Sequence, residues 1–145
     1  MIRLNCSIRT YYRLNVQETG SLEVIVTDDS NRPLPSTLIR IAKLSYTGHY
    51  KEFAEGVIVK EVYTDNNGKV HVHLPPLNEL MNTNEYYAAS VMKEGYGNSY
   101  LYYIQLYPSI NTIFNVYLSP RIEGQPEKVR LFFNQEKRLF MNTNF

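Results

Sequence analysis

The sequence predicts an all-β protein: a single seven-stranded, Ig-like sandwich with an extended N-terminal strand and a C-terminal strand or hairpin arm. Three observations carry the prediction. Short runs of alternating apolar and polar residues recur at the spacing of about 8–12 residues usual for sandwiches. Clusters of Asp, Asn, Ser, Gly and Pro stand between these runs. Helical periodicity is weak throughout, and only residues 76–81 are expected to form a turn or two of helix.

Residues 22–27 open the sandwich, with Leu22, Val24 and Val26 on one face, and Asp28-Asp29-Ser30-Asn31-Arg32-Pro33 turns the chain. Residues 37–44 set Ile39 and Ile41 against Arg40. Residues 57–63 are rich in β-branched side chains, which suit a pleated surface. Thr64-Asp65-Asn66-Asn67-Gly68 supplies residues that tolerate the positive φ of a tight hairpin. In residues 69–74, Val70, Val72 and Leu74 point inward while Lys69, His71 and His73 point outward. Pro75-Pro76 ends that strand, because proline cannot donate to a ladder. Residues 86–92, 100–107 and 112–118 complete the seven strands, adding Val91, Ile104, Leu106, Val116 and Leu118 to the expected core.

Both ends look like arms. From residue 2 to 16 the even positions are Ile2, Leu4, Cys6, Ile8, Thr10, Tyr12, Leu14 and Val16, and the odd ones are polar or Tyr11. That alternation is the pattern of a long half-buried strand. Residues 128–133 and 138–141 flank the polar loop Asn134-Gln135-Glu136-Lys137, which reads as a hairpin or two short strands. The expected organisation is therefore a β arm (1–18), a sandwich (19–120) and a β extension (121–145), with a Pro- and Gly-containing linker at 119–127.

Composition narrows the function. Lys+Arg 15 against Asp+Glu 14 gives a formal net charge of +1, which argues against nucleic acid as a partner. No apolar run approaches the ~20 residues of a membrane span. The start lacks the apolar core of a signal peptide, so synthesis in the cytoplasm without Sec export is expected. One cysteine excludes an internal disulfide. Charge also sorts by region. Arg3, Arg9 and Arg13 stand in residues 1–17 without an acid, while residues 18–120 hold more acids than bases. Basic arms lying on an acidic body would produce this sorting, and so would the accidents of a short chain.

The middle of the chain resembles the carboxypeptidase-regulatory-like, or transthyretin-like, β-sandwich family. The residues that carry the likeness are Thr19-Gly20-Ser21-Leu22-Glu23-Val24-Ile25-Val26, Arg32-Pro33-Leu34-Pro35, Thr64-Asp65-Asn66-Asn67-Gly68-Lys69-Val70, and the run from Tyr87 to Gly95-Tyr96. Leu74-Pro75-Pro76-Leu77, Ile104-Gln105-Leu106-Tyr107-Pro108-Ser109-Ile110 and Val116-Tyr117-Leu118-Ser119-Pro120 look like the version in spore cortex-lytic enzyme precursors of sporulating Firmicutes, where it is non-catalytic. The likeness covers residues 19–120 and implies a fold more than a function, since members serve as spacers, stalks, pro-regions and assembly modules.

No catalysis and no cofactor are expected. His71 and His73 share a strand face and would make half a metal site, but His49 is the only other histidine and solvent-facing histidines are the plainer reading. Asp65-Asn66-Asn67-Gly68 resembles part of a calcium loop, yet Gly68 falls at the fourth position rather than the sixth, so it reads as a turn. Cys6 occupies an apolar phase, where it serves as a small hydrophobe. GxSxG, HExxH and glycine-rich phosphate loops are absent.

Tyr 13 with Trp 0 is the compositional oddity. Tyr11, Tyr12, Tyr86, Tyr87, Tyr96, Tyr100, Tyr102 and Tyr103 suit strands and interfaces, and a carbohydrate-stacking face is an alternative. The sequence thus points to a self-assembling structural protein whose partner is itself. Strand addition from the arms would place Ile2, Leu4, Ile8, Tyr12, Leu14, Val129, Leu131 and Phe133 at the assembly interface, in a filament or particle. The resemblance adds a spore coat or appendage as a setting, with other spore or cell-surface proteins as further partners. The competing readings are a regulatory or pro-region-like module for a cell-wall lytic enzyme and a carbohydrate-binding module.

Overall fold

The computed structural model describes residues 19–47, 53–75, 77 and 85–133. They form eight strands: β1 (Gly20–Asp28), β2 (Leu38–Thr47), β3 (Phe53–Tyr63), β4 (Lys69–Leu74), β5 (Glu85–Met92), β6 (Ser99–Ile104), β7 (Asn111–Leu118) and β8 (Arg130–Phe133). Among the described residues there is no helix; the helical turn expected at 76–81 lies outside them, apart from Leu77. The strands make two sheets, ordered β4-β1-β7 and β3-β2-β5-β6-β8. Pairing is antiparallel except for β1 with β7 and β6 with β8, which are parallel. The protein is an all-β sandwich.

The alternation read from the sequence sets the register. Every residue expected in the core is buried, from Leu22, Val24 and Val26 on β1 to Val116 and Leu118 on β7. His71 and His73 are exposed between the buried Val70, Val72 and Leu74. Tyr87, Leu101 and Phe114 join that core. Burying each large aliphatic side chain contributes on the order of 1.5–3 kcal/mol. The Tyr87 hydroxyl donates to the Pro75 carbonyl at 2.7 Å, and burial pushes its pKa above the ordinary phenol value.

The hairpin at 64–68 folds as its residues dictate. Asp65 Oδ1 accepts from the Asn67 and Lys69 amides at 2.8 and 3.0 Å, and Gly68 has φ 72°. Gly68 also lies against the backbone of Val26 and Leu34, leaving no room for a Cβ. Gly68→Val is therefore expected to cost about 1–3 kcal/mol through its disfavoured φ, with the backbone clash adding to that. A lowered urea midpoint measures it.

The C-terminal side adds an eighth strand to the seven read from the sequence. Within the expected extension 121–145, β8 pairs with β6 of its own chain. Several contacts hold it there. The Gly97 amide donates to Ser119 O at 2.8 Å, and the missing side chain of Gly97 lets the Lys128 backbone pass close by. Glu127 Oε1 accepts from the Asn98 amide at 2.9 Å. Arg130 pairs with Asp29 at 3.1 Å. Residues 138–141, the second half of the expected hairpin, lie outside the described residues.

Candidate assembly interface

The exposed surface is where this sandwich departs from an ordinary one. A sandwich strand alternates an inward apolar residue with an outward polar one. The register of the five-stranded sheet shows a different outer face. Ile39 and Ile41 of β2 stand opposite Val91 and Ala89 of β5 on the core side, so Ala42 and Leu44, opposite Ala88 and Tyr86, share the outer side. On β8, Phe132 lies opposite Leu101 and packs against the core, whereas Leu131 and Phe133 lie opposite Tyr100 and Tyr102.

The outer face thereby collects a row of rings. Tyr46 and Tyr86 are 5.3 Å apart between ring centroids, Tyr86 and Tyr103 4.9 Å, and Tyr103 and Phe133 6.2 Å. Tyr102 and Phe133 are 6.1 Å apart, and Tyr100 and Tyr102 6.4 Å. The Tyr46 and Tyr103 hydroxyls share a hydrogen bond at 3.1 Å. Tyr86 is only 7% exposed although it faces away from the core; Tyr46 and Tyr103 flank it. The row depends on an extra residue in β6. Between the pairs Tyr87↔Ile104 and Ala89↔Leu101, β6 has one residue more than β5, and Tyr103 takes φ 56°. A β-bulge of this kind re-aims a side chain, and it lets both Tyr102 and Tyr103 meet Phe133.

Of the predicted interface residues, Leu131 and Phe133 lie on this face, at 51% and 36% exposure, and Val129 just before β8 is 52% exposed. Ile2, Leu4, Ile8, Tyr12 and Leu14 lie outside the described residues. Sequence reading placed a strand at 57–63 but not the exposed apolar surface that β3 presents. Ten of its eleven residues are exposed, including Phe53, Val57, Ile58, Val59 and Tyr63. Lys60 and Ile58 pair with consecutive β2 residues, leaving Val59 as the bulged residue. The run Gly56-Val57-Ile58-Val59 was its signal: three apolar residues in succession cannot all enter one core from a half-buried strand.

The other candidate chemistry stays dispersed. The His71 and His73 rings meet edge to face at 4.9 Å. Among the described residues no group of three His, Cys, Asp or Glu side chains is placed to hold a metal ion. An open groove of about 440 Å³ lies at the other end of the sandwich, lined by Leu38, Tyr63, Met92, Lys93, Asn98 and Arg121 among others. Its Lys93 ammonium is directed to the Pro35 carbonyl and its Arg121 to Glu127. No described helix is long and apolar enough to cross a membrane.

Two carboxylates fasten β8, and both are held below their ordinary pKa. For Asp29 the first cause is the hydrogen bond from Ser119, with Arg130 adding to it. For Glu127 it is the backbone hydrogen bond from Asn98, with Arg121 adding to it. A depressed carboxylate stabilises the fold above its unfolded pKa and loses that contribution as pH falls through its folded one. Acidification below the ordinary carboxylate range is therefore expected to release β8 before the core strands. Loss of amide protection at 130–133 ahead of 22–26 in pH-dependent hydrogen exchange would register this.

No family model matches the chain, and no curated protein does. Among solved structures, the chain is similar to the Bacillus anthracis TIE protein at 12% identity and a TM-score of 0.42, over 71% of this chain and 17% of that one. It is similar to GBS52, the minor pilin of Streptococcus agalactiae, at 13% identity and TM-score 0.48, over 77% and 49%. It is also similar to Acinetobacter radioresistens catechol 1,2-dioxygenase at 12% identity and TM-score 0.48, over 84% and 59%. The chain thus spans less than two thirds of each. Pilins and dioxygenases stand side by side in this set, and neither activity is carried over to this chain.

Proposed function

We propose that this protein is a non-catalytic structural subunit that associates with copies of itself, joined by strand addition from its terminal residues into a filament or particle. The observation that carries this reading is the outer face of the five-stranded sheet. Aromatic residues enriched and charges depleted are the marks of an interface centre, and here Leu44, Tyr46, Tyr86, Tyr100, Tyr102, Tyr103, Leu131 and Phe133 occupy a face that a monomer would make polar. The sequence likeness to non-catalytic domains of sporulating bacteria favours a spore coat or appendage as the setting. Light scattering on the purified chain over a range of concentrations tests the reading: masses at multiples of the protomer support it, and a protomer mass throughout contradicts it.

The same ring row supports a second reading, carbohydrate binding, because phenol rings offer an apolar body with a polar tip. Retention of the chain on an insoluble glycan, lost on Tyr102→Ala, would favour that reading over self-association.

A further inference from the structure

We infer that the edge of β3 that no described strand pairs is the acceptor for strand addition, and that its occupant is the segment 2–16 of a second copy of this chain. This rests on the assembly reading above and specifies where the subunits join.

Among the described residues the two sheets leave four edges, and three are defended. β8 is four residues long and follows Pro126 closely. β7 is stitched to the neighbouring layer: the Tyr117 carbonyl accepts from Ser99 Oγ at 3.1 Å and Arg130 Nη1 at 3.3 Å, and Tyr96 bridges to Pro120 beyond its end. β4 is six residues long, turns Lys69, His71 and His73 outward, and runs into Pro75. Short length, lysine and proline are the devices by which sheets discourage edge pairing. β3 is less protected: its charges are Glu55, Lys60 and Glu61, and its one irregularity is the bulge at Val59. It is eleven residues long, contains no proline, and exposes apolar side chains along its length.

Length, charge and placement select the occupant. The alternating segment 2–16 is long enough to pair with the whole of β3. It carries Arg3, Arg9 and Arg13 and no acid, while β3 carries Glu55 and Glu61 with one lysine. Opposite charges across paired strands are favourable. The segment enters the fold through Thr19 at the start of β1, and the Thr19 carbonyl accepts from the Ser109 amide at 3.2 Å. β1 is the central strand of the opposite sheet, enclosed by β4 and β7. Its attachment point, Thr19, thus lies in the other layer from β3, and in the contact inferred here a neighbouring copy supplies the strand. Such a contact is heterologous and propagates into a ring or an open filament.

The native Cys6 makes the test direct. The natural chain is mixed with tagged full-length chains carrying Cys6→Ser and one of Ala54→Cys, Val57→Cys or Lys60→Cys on β3. Control chains carry Cys6→Ser with His71→Cys on β4 or Glu123→Cys in the exposed turn before β8. The mixtures are oxidised with glutathione disulfide. A disulfide joining two chains at one or more β3 positions, with none at the controls, is the expected result. A cross-link at a control position instead, or no inter-chain cross-link at any position, overturns the assignment. So does an intramolecular disulfide in a dilute chain holding both Cys6 and a β3 cysteine. Light scattering of the same samples separates the two claims: assembled chains without a β3 cross-link leave the assembly reading standing and the acceptor wrong, whereas monomers throughout overturn both. As a second measurement, Val57→Lys with Ile58→Lys, both at exposed positions, is expected to weaken association at least tenfold with an unchanged melting temperature. Unchanged association overturns the assignment.

Discussion

A chain lacking residues 1–17 is expected to remain a folded sandwich and to lose assembly. The fold half of this expectation follows from the core, whose described members run from Leu22 on β1 to Leu118 on β7. The assembly half follows from the apolar phase of the segment. Burying Ile2, Leu4, Ile8 and Leu14 contributes on the order of 1.5–3 kcal/mol each, set against about 1–2 kcal/mol of backbone entropy for every residue ordered. Those terms favour docking only when the acceptor is preformed, as an edge strand is, so that the backbone hydrogen bonds of the added strand join the balance. Ile8→Asp with Tyr12→Asp is expected to reproduce the truncation, because an unpaired carboxylate does not bury. Unchanged melting with a protomer mass in light scattering is the expected pair of readings. A truncated chain that unfolds at once would instead make the segment a strand of its own sandwich.

Tyr102→Glu with Leu131→Glu is expected to abolish any association made through the outer face. Both residues lie on the side of the sheet away from the core, Tyr102 half-buried and Leu131 exposed, so the sandwich tolerates the charges in the monomer. Facing a second apolar surface, each carboxylate would have to shed water without a partner, at several kcal/mol. Affinity is expected to fall by a hundredfold or more, since each 1.4 kcal/mol is a factor of ten. The effect should relax at acidic pH, where the glutamates protonate. Sedimentation at neutral and acidic pH reads both outcomes. Undiminished association would leave the ring row without a role in assembly.

The strands themselves were legible because alternation has a period of two and one face is buried. Val70-His71-Val72-His73-Leu74 admits one register, and β4 adopts it. The turn at 64–68 was legible because Asp65 and Gly68 have few other uses in that spacing. Two features were not. β8 pairs in parallel with β6, a strand some thirty residues earlier, and nothing in Arg130-Leu131-Phe132-Phe133 distinguishes docking at home from docking on a neighbour. The apolar run in β3 marked a strand that could not be half-buried, but whether it is enclosed on both faces or left at an edge depends on the three-stranded sheet being narrower than the five-stranded one. Tyr103 falls between these cases. Its abundance of neighbouring tyrosines was visible, but the bulge that turns Tyr102 and Tyr103 toward one phenylalanine arises only when β5 and β6 pair.

Electron microscopy of the natural, full-length chain at concentrations where light scattering is measured tests the central claim most directly. Subunits repeating along a filament or closed into a particle of uniform diameter are the predicted images. A field of separate particles of protomer size at every concentration would contradict the account.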